Sequence, residues 1–113
     1  MHEMSIALNI IRIAEEELRK SEREKITAIS LSIGKLSGIV IESLKFALEA
    51  SGASSRLSGA RITIEEIPAK MKCLNCNHEF ECDDFYSICP ACEAFRHEIL
   101  SGKELVINSI TIQ

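Results

Sequence analysis

The residues most clearly able to do chemistry are two pairs of cysteines, Cys73-Leu74-Asn75-Cys76 and Cys89-Pro90-Ala91-Cys92, with twelve residues between them. A two-residue gap lets the backbone turn tightly, so both sulfurs of a pair can face one ion while amide N–H groups approach the thiolates. Two such knuckles complete a tetrahedron around Zn²⁺ at S–Zn distances of roughly 2.3 Å. Because all four positions are thiolates, none is left for water or substrate, and the expected role is structural rather than catalytic. Iron suits the same S₄ cage. A redox dithiol needs only one pair, usually at a strand-to-helix junction, and the second pair speaks against it. Cys82 and His78 lie inside the loop but form no paired knuckle, so they are expected to be bystanders, Cys82 as a small apolar residue. The spacing leaves open whether His97, or Glu42 far upstream, assists a metal.

The second candidate site is the amino terminus, where His2 follows Met1 and precedes Glu3. A histidine near a chain end is ordinarily a solvated side chain. At position 2, however, short covalent links join the α-amine of Met1, the amide nitrogen of His2 and its imidazole, so all three can chelate one ion in fused rings. Glu3 can add a carboxylate oxygen or its own amide nitrogen. Nitrogen-rich tetragonal sets suit Ni²⁺ and Cu²⁺, and their dependence on deprotonated nitrogens weakens affinity as pH falls. Histidine is bulky, so the initiator methionine is expected to be retained. A site on a chain end is accessible and easily released, which suits a carrier better than a catalyst.

The totals restrict the rest. One hundred and thirteen residues leave room for one small domain, or one domain carrying a smaller module. With 46% apolar and 27% charged residues the composition is that of a soluble globular protein. No apolar run is long enough for a bilayer, and Glu3, Glu15, Glu16 and Glu17 argue against a signal peptide, so a cytoplasmic location is expected. The formal charge of −4, with Glu79, Glu81, Asp83 and Asp84 around the knuckles against Lys70 and Lys72, disfavours nucleic acid as a partner. Five cysteines in a reducing compartment are an odd count for a disulfide framework, which again favours metal ligation.

Positioning elements follow from periodicity. Between Ser5 and Glu22 the residues Ala7, Ile10, Ile11, Ala14 and Leu18 recur at three- and four-residue steps, predicting an amphipathic helix with Ser5 as its cap. Ile29, Leu31 and Ile33 alternate with Ala28, Ser30 and Ser32, predicting a half-buried strand that Gly34 ends. A second helix has Val40, Leu44, Ala47 and Leu48 on one side and Glu42, Lys45 and Glu49 on the other. Ile62 and Ile64 face inward on a second strand that Pro68 stops. Residues 105 to 112 form a third, whose inward parity changes from Leu105 and Ile107 to Ile110 and Ile112, predicting a bulge or an edge. In residues 69 to 102 apolar periodicity disappears and no core of its own is expected, so a metal must hold that segment.

Taken together these features resemble the HypA/HybF family of hydrogenase nickel-incorporation proteins. The matching segments are Met1-His2-Glu3-Met4-Ser5-Ile6, then Ile33-Gly34-Lys35-Leu36-Ser37-Gly38 leading to Glu42-Ser43-Leu44-Lys45-Phe46. Gly59-Ala60-Arg61-Ile62, the two knuckles and Gly102-Lys103-Glu104-Leu105 complete the set. The resemblance implies a non-enzymatic metallochaperone of α+β fold, with two helices packed on a three-stranded sheet at roughly 26–33, 60–68 and 104–112 and an inserted zinc-ribbon-like module of four cysteines. Residues 1–68 plus 102–113 would form the nickel-binding domain and 69–101 the zinc module.

Carried over to this chain, His2 is the essential nickel ligand, helped by Met1 and Glu3, while Cys73, Cys76, Cys89 and Cys92 hold zinc. The implied role is delivery of Ni²⁺ to the large subunit of [NiFe]-hydrogenase, acting with the GTPase HypB, with urease accessory proteins as further partners in some bacteria. A monomer or homodimer is expected. The alternative is a zinc-ribbon interaction module without nickel transfer. Two departures stand out. Many family members have glycine directly after the last zinc cysteine, whereas Glu93 stands here, so the second knuckle is expected to lack its tight turn. Some members place an acidic residue near the start of the second helix beside the nickel site; here Ile39, Val40 and Ile41 precede Glu42.

Overall fold

The apolar periods close into elements where the spacing demands them. A computed structural model describes residues 3–113, so the expectations placed on Met1 and His2 lie outside the described residues. Helix α1 (Glu3–Ser21) buries Ala7, Ile10, Ile11, Ala14 and Leu18, the predicted stripe. Ser5 lies within the helix and does not cap it. Strand β1 (Ile26–Gly34) follows, then α2 (Ile41–Gly52) and β2 (Arg61–Ile67). Helix α2 buries Leu44, Ala47 and Leu48, but Val40 is 58% exposed: it sits ahead of the first turn in extended backbone, out of phase with the buried face.

Three more strands, β3 (Ala69–Cys73), β4 (Glu79–Cys82) and β5 (His97–Ser101), precede β6 (Leu105–Ile112). Strand β6 completes a sheet of order β2-β1-β6, with β2 parallel to β1 through the α2 crossover and β6 antiparallel to it. Ile26, Ile29, Leu31 and Ile33 of the central strand are almost fully buried beneath the two helices. The expected irregularity in β6 is present. Ser30 pairs with Ser109 and Leu31 with Ile107, so Asn108 is the extra residue of a bulge, and the strand is also a sheet edge. The bulge puts Leu105 opposite Ile33 and Ile110 opposite Ile29, which keeps both on the helix-covered side.

Residues 69–101 differ from expectation. They form a second antiparallel sheet, with β3 at its centre between β4 and β5. Ala69, Met71 and Cys82 are buried in a small core together with Leu36, and Phe80 and Ile99 pack against it. A period-two signal exists in Ala69, Met71 and Cys73 alternating with Lys70 and Lys72, but five residues are too few to outweigh the surrounding polar loop.

The chain enters this sheet through Pro68 alone and leaves it through Gly102, Lys103 and Glu104. The loop after β1 is laced between both connections. Gly34 N–H donates to the Glu104 carbonyl (2.7 Å), Lys35 N–H to that of Ile67 (2.9 Å) and Leu36 N–H to that of Gly102 (2.6 Å). Gly102 adopts φ 115°, a region that side chains resist, and its N–H is held by Glu104 Oε1 at 2.8 Å. Lys35 adds an ion pair to Asp83 at 2.6 Å, which raises the lysine pKa and lowers the carboxyl's through the hydrogen bond and the charge of each on the other. Among the described residues no helix is long and apolar enough to cross a membrane.

A Cβ at Gly34 would overlap the backbone carbonyl of Gly102. Gly34→Ala should therefore lower unfolding free energy by about 1–3 kcal/mol, the usual cost of overpacking. An unchanged denaturation midpoint in urea would show that the junction yields freely.

Candidate metal centre

Both knuckles are built on the same plan, sixteen residues apart. Strand β3 ends at Cys73, and the first knuckle turns the chain into β4; the second knuckle lies ahead of β5. Cys73 N–H donates to the His78 carbonyl at 2.8 Å, and Cys89 N–H to the Ala94 carbonyl at 3.0 Å. Asn77 N–H returns to the Cys73 carbonyl (2.9 Å) and Glu93 N–H to the Cys89 carbonyl (2.8 Å). Inside each turn, the N–H of Asn75 or Ala91 points at the first sulfur from 3.4 Å. Leu74 N–H ties the first knuckle to the Arg96 carbonyl beyond the second at 3.1 Å.

The expectation that Glu93 removes the tight turn is corrected here. Glu93 takes φ 62° and Asn77, its counterpart, takes φ 64°. Asparagine visits this left-handed region easily and glutamate does not, so the second turn is kept at a local cost.

The four sulfurs converge. Cys73 Sγ lies 3.5 Å from Cys92 Sγ and Cys76 Sγ 3.6 Å from Cys89 Sγ, and all four lie within 4.8 Å of one another. A tetrahedral zinc with bonds of about 2.3 Å places its sulfurs about 3.8 Å apart, so the donor set fits such an ion. Cys73 and Cys89 are buried while Cys76 is exposed, so the ion would be held from the interior side and shielded little from outside.

The thiols divide electrostatically. Cys92 is drawn down to about 6 by the side-chain amide of Asn75, then by the Ala94 N–H. At Cys76 the His78 N–H works in the same direction, but desolvation and the thiols of Cys92, Cys89 and Cys73 outweigh it and push the group up to about 12. One thiolate forms readily and further ionisation meets like charge; a divalent cation among the sulfurs reverses that penalty.

The other candidates stay apart from this group. Cys82 is 8% exposed in the small core, and burial followed by Asp83 and Asp84 raises its pKa. His78 stacks on Phe80 with centroids 6.2 Å apart, and His97 Nδ1 lies 2.8 Å from the Phe95 carbonyl. Glu42 is an exposed residue in the first turn of α2. The carboxylate that meets the start of α2 is instead Glu3, whose Oε2 accepts from Val40 N–H at 3.4 Å. Valine has no side-chain oxygen with which to cap α2, and an acidic group from α1 stands at its positive end. Periodicity within α1 gives no sign of this contact, because it joins residues 37 apart in the chain.

Replacing Glu93 by glycine removes the left-handed strain. Glu93→Gly should raise the unfolding free energy of the metal-loaded protein by about 1 kcal/mol; an equal or lower urea midpoint would show that the glutamate is held there at no cost.

Comparison with known proteins agrees with this architecture. The family model described as "Hydrogenase/urease nickel incorporation, metallochaperone, hypA" matches residues 1–112. The chain is 43% identical to the hydrogenase maturation factor HypA of Chlorobaculum parvum and 36% identical to that of Geobacter sulfurreducens, in each case over 113 residues covering all of both chains. Among solved structures it is similar to the solution structure of the Ni metallochaperone HypA from Helicobacter pylori, at 25% identity and a TM-score of 0.67, covering 99% of this chain and 97% of that one. Another HypA solution structure gives 26% identity and a TM-score of 0.71, covering 100% and 97%. With a family model matched over residues 1–112, relatives matched over the full length and solved structures sharing its fold, the chain belongs to the HypA family of nickel metallochaperones for hydrogenase maturation.

Proposed function

We propose that the protein carries Ni²⁺ on its first residues and delivers it to the large subunit of [NiFe]-hydrogenase, without itself catalysing a reaction. The observation that carries this reading is the family match extending from residue 1, in a chain that starts Met1-His2-Glu3. The α-amine of Met1, the amide and imidazole of His2 and the amide of Glu3 form a nitrogen-rich set of the kind that suits nickel. The Glu3 carboxylate is engaged by Val40 N–H, which favours the amide over the side chain as its contribution. Copper binds such sets more tightly still, so selectivity rests on availability and on the partners. Those partners are the GTPase HypB and the hydrogenase, with urease accessory proteins as a further client system, and the working compartment is the cytoplasm.

Residues 69–101 are read as a zinc module, with Cys73, Cys76, Cys89 and Cys92 as ligands, inserted into a nickel-binding unit of residues 1–68 plus 102–113. A set of four thiolates leaves no open position, so zinc there holds the fold and takes no part in transfer. It contributes three buried side chains, Ala69, Met71 and Cys82, to a small core completed by Leu36, consistent with a segment whose folding is coupled to metal.

His2→Ala should abolish high-affinity nickel binding in calorimetric titration while leaving zinc content and the circular dichroism spectrum unchanged. Retained affinity would move the nickel site away from His2, whereas an unmodified chain that takes up no nickel would favour the alternative, an interaction module with no second metal. Cys73→Ala should release zinc and collapse the amide dispersion of residues 69–101 in NMR spectra; dispersion that survives zinc loss would remove the structural role.

A further inference from the structure

Three arginines from separate parts of the chain line one cavity. Arg19 lies in the last turn of α1, Arg23 in the turn between α1 and β1, and Arg56 in the loop between α2 and β2; with Glu15 and Leu18 they enclose about 280 Å³. Because β1 and β2 run parallel, both connections lie at the same end of the first sheet, the end away from Gly34 and the second sheet. Both are fixed in the same way. Ser21 Oγ donates to the Leu18 carbonyl (2.6 Å) and accepts from Arg23 N–H (3.2 Å), and Ser55 Oγ donates to the Gly52 carbonyl (2.9 Å) and accepts from Leu57 N–H (3.1 Å). Arg56 Nη1 then donates to the Glu24 carbonyl at 3.3 Å and ties the two connections together.

In a chain of net charge −4, with Glu17, Glu22 and Glu24 close in sequence, such a cluster would ordinarily be neutralised. It is not. Among the described residues the ion pairs join Arg12 to Glu16, Lys20 to Glu17 and Lys35 to Asp83, and none reaches these three arginines. Glu15 is the single carboxylate of the lining, so two positive charges are left over. A basic residue in the last turn of a helix serves the negative end of the helix dipole, which accounts for Arg19. Arg23 and Arg56 lie outside both helices, and that account does not cover them.

We propose that this cavity binds a small phosphate-bearing anion through a diphosphate group, free or on a nucleotide. Guanidinium groups pair with phosphate and carboxylate alike, presenting parallel N–H donors to two oxygens at once. Number and direction decide between the two. A carboxylate has two oxygens in one plane and is satisfied by one or two such forks, whereas phosphoryl oxygens point in several directions and accept from guanidinium groups carried on separate elements. Size points the same way. The cavity is close to the lower end for small-ligand pockets, roughly 300 Å³, and an extended acidic peptide, whose same-face carboxylates stand about 7 Å apart, places only one of them in it. Connections already held by Ser21 and Ser55 leave little to be ordered on binding.

Amide NMR spectra of the full chain titrated with inorganic diphosphate, at ionic strength held constant with sodium chloride, test this. Saturable shifts confined to residues 15–25 and 52–60 are expected, and a hexaglutamate peptide should bind at least about tenfold more weakly. ADP in a parallel titration identifies the source: equal or tighter binding points to a nucleotide, weaker binding to the free anion, and either supports the site. Arg23→Gln, at an exposed position outside the helices, should weaken diphosphate binding by at least about tenfold with an unchanged melting curve. Arg56→Gln should weaken it as well, and Glu15→Gln, by removing the opposing charge, should tighten it. Shifts that grow without saturating, an affinity unchanged by R23Q and R56Q or lowered by E15Q, or tighter binding of the peptide overturns the proposal. The readout involves neither nickel nor zinc, so the site stands or falls apart from the nickel reading.

Discussion

The architecture depends on a backbone-to-backbone approach with no room for a side chain between its parts. Gly34, at the end of the central strand of one sheet, lies against Gly102, at the exit from the other, and the loop between β1 and α2 is hydrogen-bonded to both connections. Leu36 then crosses over and buries itself with Ala69, Met71 and Cys82. Two small sheets with separate cores are thereby held by short-range contacts that tolerate little displacement. A flexible linker could join the same sheets at lower steric cost, but it would leave their relative placement to chance.

The four-cysteine cluster shows the same economy at a second scale. Each knuckle uses one N–H to point at its first sulfur and a second to close the turn, so the sulfurs are positioned by backbone rather than by side-chain packing. That suits a segment with few aliphatic residues, because backbone geometry is available to any sequence that can adopt the turn. Its requirement for a left-handed residue is met well by Asn77 and poorly by Glu93. The strain at Glu93 is the price of keeping the two halves of the cage alike.

The contact between the Glu3 carboxylate and the N–H of Val40 links the start of α1 to the start of α2. Because the loop that ends at Val40 begins next to Leu36, the start of α1 and the second sheet are anchored to opposite ends of one short, well-bonded segment. Proximity of this kind gives the start of α1 and the four-cysteine module a common frame.

Whatever depends on local period and local spacing is legible in the residues alone. The stripe of Ala7, Ile10, Ile11, Ala14 and Leu18, the alternation through Ile29, Leu31 and Ile33, the parity change in β6 and the two Cys-x-x-Cys pairs all specify geometry over a few residues, and each is found where expected. What the sequence could not display are contacts between distant residues: the seat of Leu36 in the second core, the Gly34–Gly102 approach, and Glu3 at the start of α2. The second sheet escapes a reading of periodicity because its strands are four or five residues long and draw their stability from one another. Val40 and Ser5 fall outside their expected places because helix boundaries follow cap geometry and tertiary packing, which periodicity does not encode.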